Sequence, residues 1–160
     1  MSTRYATRQD IEDEFGEENV KGWLGLELTE NYSADQLAYI DRCINYAEER
    51  VDAALKPACV TPLTGDSLTS MSGMLREWVV DIAAARLYTR RSTMARGTGG
   101  EGLKDRVDAA IADFKAIRAG EYQLPDGVSL QSQFAYGHSG TETQTSDYLD
   151  KDFKRNRILT

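Results

Sequence analysis

At 160 residues and a formal net charge of −7, the chain can bury one substantial core but is too acidic for general affinity to nucleic-acid backbones or anionic lipid. Its 41% hydrophobic and 28% charged content is that of an ordinary globular domain, and no apolar run is long enough to span a membrane. The opening MSTRYATRQD has no apolar segment of the secretory kind, and two cysteines, Cys43 and Cys59, make no disulfide framework, so a reduced compartment is expected.

The first predicted helix opens after Thr7, which can cap a turn ending at Asp10, carries Ile11 and Phe15 on one face, and closes at Gly16. The stretch VKGWLGLEL that follows reads either as one helical turn or as a loop that packs Trp23. A longer helix starts at Ser33, which forms an S-x-x-Q capping box with Gln36, and Pro57 forces its end by Lys56. Leu37, Ile40, Ile44, Ala47, Val51 and Leu55 keep helical spacing along it. Tyr39, Cys43 and Tyr46 widen that apolar face to about half the circumference at roughly 100° per residue. So broad a face needs more cover than one neighbouring helix gives.

ACVTPLTGDSLTS reads as a connection punctuated by Pro62 and Gly65. The third helix is expected from about Ser72 to Arg91, apolar almost all round and therefore central, with Ala83, Ala84 and Ala85 allowing close backbone approach. Arg86 shares a stripe with Leu75, Val79 and Ile82, and burial there would demand a carboxylate partner, which makes it a candidate structural ion pair. The fourth helix, EGLKDRVDAAIADFKAIRAG, is amphipathic through Leu103, Val107, Ala110, Phe114 and Ile117, with Arg118 in its last turn and Gly120 at C′. The fold expected is all-α: a compact four-helix bundle with short helical turns over residues 1–125, a polar flexible linker over 126–146 and an extended C-terminal arm over 147–160.

Candidate chemical sites are few. GTGGEG at 97–102 satisfies G-x-G-x-x-G, with Glu121 about twenty residues on, but the dinucleotide fingerprint needs a preceding strand and a helix is expected there. His138 has no Cys or carboxylate at ligand spacing, and is read as solvated. Cys43 is expected to pack as a small hydrophobe, and Cys59 to be partly exposed but unreactive. The carboxylates of Glu12, Asp13, Glu14, Glu17, Glu18, Glu48 and Glu49 are expected on solvated faces. Asp147, Asp150 and Asp152 do not match a calcium loop. No catalytic, metal or cofactor-binding residue is assigned, no cofactor is expected, and the chain is read as a non-enzyme. A small nucleotide-binding enzyme using the 97–102 loop is the first alternative. A helix-turn-helix DNA-binding regulator is the second, disfavoured by the acidic charge and the lack of a basic recognition helix.

The C-terminus, SDYLDKDFKRNRILT, differs from the rest of the chain. Tyr148, Leu149, Phe153, Ile158 and Leu159 are interleaved with Lys151, Lys154, Arg155 and Arg157, behind the polar stretch YGHSGTETQTS. Burying each apolar side chain could contribute about 1.5–3 kcal/mol, against roughly 1–2 kcal/mol per residue of backbone ordering. One arm alone would bind weakly, and many arms on one assembly would bind well.

In order and spacing, several stretches resemble a bacteriophage neck-protein family of the phage Mu type. YATRQDIEDEFGEENV resembles its opening, and ADQLAYIDRCINYAEERVDAALKP its long second helix. LREWVVDIAAARLYTRR resembles the third helix, LKDRVDAAIADFKAIRAGEYQLP the fourth with its exit, and DKDFKRNRILT the basic, apolar C-terminus. LGLELTENYS, GDSLTSMSG and the long linker of 127–146 depart from that pattern. The resemblance implies a virion structural protein: a head–tail connector, or adaptor, made in the host cytoplasm and forming a ring, usually of twelve copies, under the portal. Its implied partners are the portal protein, a tail or stopper (head-closure) protein and further copies of itself, with DNA passing through the channel without specific binding and no membrane involved. It further implies that the arm docks on the portal through Tyr148, Leu149, Phe153, Lys154, Arg155, Arg157, Ile158 and Leu159. In such a ring neighbouring subunits would cover the broad helical face, making Tyr39, Cys43 and Tyr46 candidate inter-subunit contacts.

Overall fold

A computed structural model of the chain describes residues 5–92, 101–128 and 130. Over these the fold is all-α, with five helices in the order α1 (Arg8–Phe15), α2 (Glu17–Trp23), α3 (Ala34–Leu55), α4 (Gly65–Ser92) and α5 (Glu101–Ala119). The arm, His138 and most of the Gly-rich stretch at 97–102 lie outside the described residues. Among the described residues no helix is long and apolar enough to cross a membrane.

Local chemistry sets the helix ends. Thr7 and Asp10 form a reciprocal capping box at the start of α1, and Ser33 and Gln36 form another at the start of α3. Gly16 ends α1 at φ 85°, a conformation that costs glycine least, and α2 follows at once, so the ambiguous stretch around Trp23 is helical. Gly120, at φ 73°, closes α5, with the Glu121 amide donating back to the carbonyl of Ala116 at 2.9 Å.

The third predicted helix begins about two turns earlier than expected, at Gly65 rather than near Ser72. The reason is long-range. Chain leaving α5 folds back along the first turns of α4, where Ser67 Oγ donates to the Gly127 carbonyl at 3.1 Å and Ser70 Oγ to that of Asp126 at 3.0 Å. Met71, on the same turns, is fully buried. Asp126 and Gly127, expected at the start of the linker, are therefore fastened to the bundle.

At 28 residues, α4 is about 42 Å long and packs against each of the other four helices. Leu75, Val79, Ala83, Ala84 and Leu87 are fully buried along it. Ile40, Ile44, Ala47, Val51 and Leu55 of α3 and Ile117 of α5 complete the core, with Ile11 and Val20 from α1 and α2. Trp78 ties α4 to α5 by an edge-on contact with Phe114, ring centroids 5.0 Å apart, and by donating its indole N–H to Asp113 at 3.0 Å.

Polar groups pin the ends of this core. Tyr5 is the most connected: its amide donates to Glu48 at 2.7 Å, its hydroxyl donates to Asp52 at 2.6 Å and accepts from the Leu63 amide at 2.9 Å. Burial, with the hydrogen bond to Asp52, raises the Tyr5 phenol well above its ordinary range. Arg106 of α5 joins three helices, its guanidinium lying 2.7 Å from Asp81 of α4 and 2.6 Å from Glu14 of α1. Asp81 is buried, and that burial raises its carboxyl despite the arginine.

Candidate functional site

Three helical stripes converge on one face of the bundle. Tyr39, Tyr46, Arg50 and Ala53 follow one line on α3; Ile82, Ala85, Arg86 and Thr89 follow one on α4; Val107, Ile111, Phe114 and Arg118 follow one on α5. Together they line an open groove of about 760 Å³. Its floor is aliphatic and aromatic, and Ile111 remains 42% exposed within it. An apolar side chain left this open on a helix face is a candidate contact for a partner.

The groove is also positively charged on an acidic protein. Its lining contains three arginines and no carboxylate. Arg86 lies 3.7 Å above the centroid of the Tyr46 ring and Arg50 lies 5.3 Å from it, with Arg50 Nε donating to the Tyr46 hydroxyl at 2.9 Å. Stacking on a ring orders a guanidinium without neutralising it. Arg118 donates to the carbonyls of Ala54 and Ala53, at 3.3 and 3.5 Å, in the last turn of α3, where the helix end favours a cation. Just beyond, Arg42 sits 5.6 Å from the Tyr39 ring.

The broad face of α3 therefore ends up divided. Tyr39 and Tyr46 are half-buried and line the groove, whereas Cys43 is fully buried in the core, its thiol pushed up by that burial. Enclosed within its own bundle, Cys43 is corrected from a contact candidate to a core residue. Arg86 is exposed, so the burial that would have required a carboxylate does not arise, and its ordering partner is the Tyr46 ring.

The charged depressions elsewhere contain internal ion pairs. Between α1 and α4, Asp10 takes Arg76 at 3.5 Å. At the foot of α2, the buried Lys21 reaches Glu17 at 2.9 Å and donates to the Leu28 carbonyl at 2.8 Å. Glu12 was expected on a solvated face but is buried, held by Arg8 at 3.3 Å, and Glu48 is half-buried against the Tyr5 amide. Cys59, expected to be partly exposed, is fully buried, and its thiol is pushed up to about 11 by burial and by the charge of Asp52. Among the described residues no cluster of His, Cys, Asp and Glu could hold a metal ion. What precedes the Gly-rich stretch is α4, a helix, where the dinucleotide fingerprint would need a strand.

The sequence profile of the family described as Bacteriophage Mu, Gp36 matches residues 5–135, well over half of the chain and all five helices. The chain belongs to this family. It is thus a member of a bacteriophage protein family, with an all-α fold over the described residues, and the segments 24–33 and 65–73 lie inside the matched span. No curated protein matches the chain. The arm, 147–160, lies beyond the Gp36 match as well as outside the described residues.

Sequence reasoning found one wall of the groove, through the breadth of the α3 face, and missed the other two. Val107 looked like an ordinary core position of an amphipathic helix, and Ile111 was not singled out at all. Arg118 looked like a favourable charge at a helix end, which it also is. The missed signal was the excess of apolar positions on α5 beyond what one helix-to-helix seam can cover.

Proposed function

We propose that this protein is a head–tail connector: a non-enzymatic structural protein of the virion neck, assembled as a ring beneath the portal around the DNA channel. The observation that carries this reading is the unfilled α3–α4–α5 groove on a chain of the phage Mu Gp36 family. A compact bundle with one apolar, arginine-rimmed face has surface suited to a repeated subunit contact, and a ring supplies a neighbour for every copy. The acidic remainder of the surface suits a passage through which DNA moves without adhering. The arm, with its alternating aromatic, aliphatic and basic residues, is the docking segment for the portal, and the stopper or tail protein attaches to the opposite side of the ring.

The test is attachment to portal-bearing particles, followed by co-sedimentation, comparing the full chain with a truncation after Gln144. Attachment of the full chain alone is expected. Equal attachment of both would move the portal contact from the arm to the bundle, and attachment of neither would refute the connector reading.

A further inference from the structure

The groove has a structural counterpart on the far side of the same molecule. Between α2 and α3 the chain forms a short projecting loop, in which Leu28 is 56% exposed, the most of any large apolar residue described. Glu27 and Glu30, both exposed, stand on either side of it in the sequence. The loop is a built element. The buried Lys21 holds the Leu28 carbonyl at 2.8 Å, the Leu26 amide donates to the Lys21 carbonyl at 3.0 Å, and the Glu30 amide donates to the Glu27 carbonyl at 3.0 Å. The Glu27 amide in turn donates to the Glu30 carboxylate at 2.8 Å. A leucine held at the tip between two carboxylates is a poor solvated loop and a good plug.

We propose that this loop, residues 24–32, fills the α3–α4–α5 groove of a second copy of the chain, Leu28 entering beside Ile111 while Glu27 and Glu30 meet Arg50, Arg86 and Arg118. The assignment rests on the ring reading above and names the two faces that meet. Chemistry supports it: the groove is apolar with a cationic rim, and the loop is apolar with anionic flanks, so shape and charge are complementary. Placement supports it too. On α4 the groove occupies Ile82, Ala85, Arg86 and Thr89, whereas α1 and α2 lie over Gly73, Glu77, Val80 and Tyr88. At 100° per residue these two sets are centred about 150° apart around the helix. A loop on the α2 side cannot fold into the groove of its own chain. Two complementary patches on opposite faces make a head-to-tail contact, which propagates into a ring or a filament rather than closing as a dimer.

Disulfide-range trapping tests this in the full-length protein. Leu28→Cys and Ile111→Cys chains are prepared separately, mixed, and treated with a short bifunctional thiol reagent. Both positions are exposed, and the native thiols of Cys43 and Cys59 are buried. The Leu28→Cys/Ile111→Cys product is expected about tenfold above random pairing, because a docked pair holds its thiols at high effective concentration. Glu27→Lys with Glu30→Lys in the loop partner should abolish the excess, and Arg50→Glu with Arg86→Glu in the groove partner should restore it. Random pairing would overturn the proposal. So would preferential trapping of Ile111→Cys by a Tyr148→Cys chain, which would give the groove to the arm. Random pairing with wild-type attachment to portal particles intact would remove this contact and leave the connector reading standing.

Discussion

Replacing Tyr5 with phenylalanine isolates one hydroxyl that closes the N-terminus onto the bundle. The ring stays the same size, so the apolar burial is retained and only the two hydrogen bonds to Asp52 and Leu63 are lost. Leu63 is 1% exposed, and its amide would be left without its acceptor, at about 1–3 kcal/mol. Asp52 is half-buried and can recover water, so losing its donor costs about 0.5–1.5 kcal/mol. The sum is about 1.5–4.5 kcal/mol, or a fall in Tm of roughly 3–18 °C for a domain of this size. The pH dependence gives a second, independent signature. Folding raises the Tyr5 phenol, so the folded chain keeps a proton that the unfolded chain releases above pH about 10. Its contribution is complete below that pH and is lost as pH rises further, at about 1.4 kcal/mol per unit. Denaturant unfolding of both chains at neutral pH and at steps above pH 10 measures this directly. A difference under about 0.5 kcal/mol, or one that does not shrink in alkali, would refute the assignment of Tyr5 as a buried two-way hydrogen-bonding residue.

Arg106→Ala should cost about 3 kcal/mol, because it leaves the buried Asp81 without its counter-charge. The deficit should narrow as pH falls toward the range in which Asp81 takes up a proton. The Asp81 carboxyl is already raised in the folded chain by its burial, so stability is lost as pH rises through that range, and more so without the arginine. Urea titrations of both chains at pH about 4 and 7 check the sign. Gly127→Ala should destabilise by about 1 kcal/mol, since φ is 93° there and an added Cβ would come within 3.2 Å of Ser70 Oγ. Adding Ser70→Ala should give no net recovery in thermal unfolding, because the backbone strain remains and the Ser70 bond to the Asp126 carbonyl is lost as the contact is relieved.

Helix ends set by neighbouring residues could be read from the sequence; ends set by distant chain could not. The Ser33–Gln36 box, the stop before Pro57 and the Gly120 turn each depend on a few adjacent residues, and all appear where their chemistry puts them. The start of α4 was hidden because Gly65, Asp66 and Ser67 are indifferent helix formers on their own, and what seals them is the chain that returns after α5. Burial of Glu12 and Glu48 was equally illegible. Their partners are Arg8 four residues along and the Tyr5 amide forty-three residues away, and only packing decides that these carboxylates face inward. The groove lies between these cases. The surplus width of α3 announced that something more had to cover it, but not that Val107, Ile111 and Arg118 would share the same opening.

In the proposed ring, copies each carrying −7 would have to overcome their own repulsion, and this determines how association should respond to salt. The net charges of adjacent bundles act over distances longer than the Debye length of about 8 Å at physiological ionic strength, so salt screens them readily. The pairs proposed between Glu27 and Glu30 and the arginine rim act at contact and are partly desolvated, so they are screened much less. Raising salt from very low levels to about 0.15 M should therefore increase trapping of the Leu28→Cys/Ile111→Cys pair, and only higher salt should begin to reduce it. A contact made by surface charge alone would weaken monotonically from the start. A purely apolar contact would strengthen throughout and would be indifferent to reversing Glu27 and Glu30. The rise followed by a fall is specific to an apolar plug with charged flanks on an otherwise repelling subunit, which is what Leu28 and its two neighbours present.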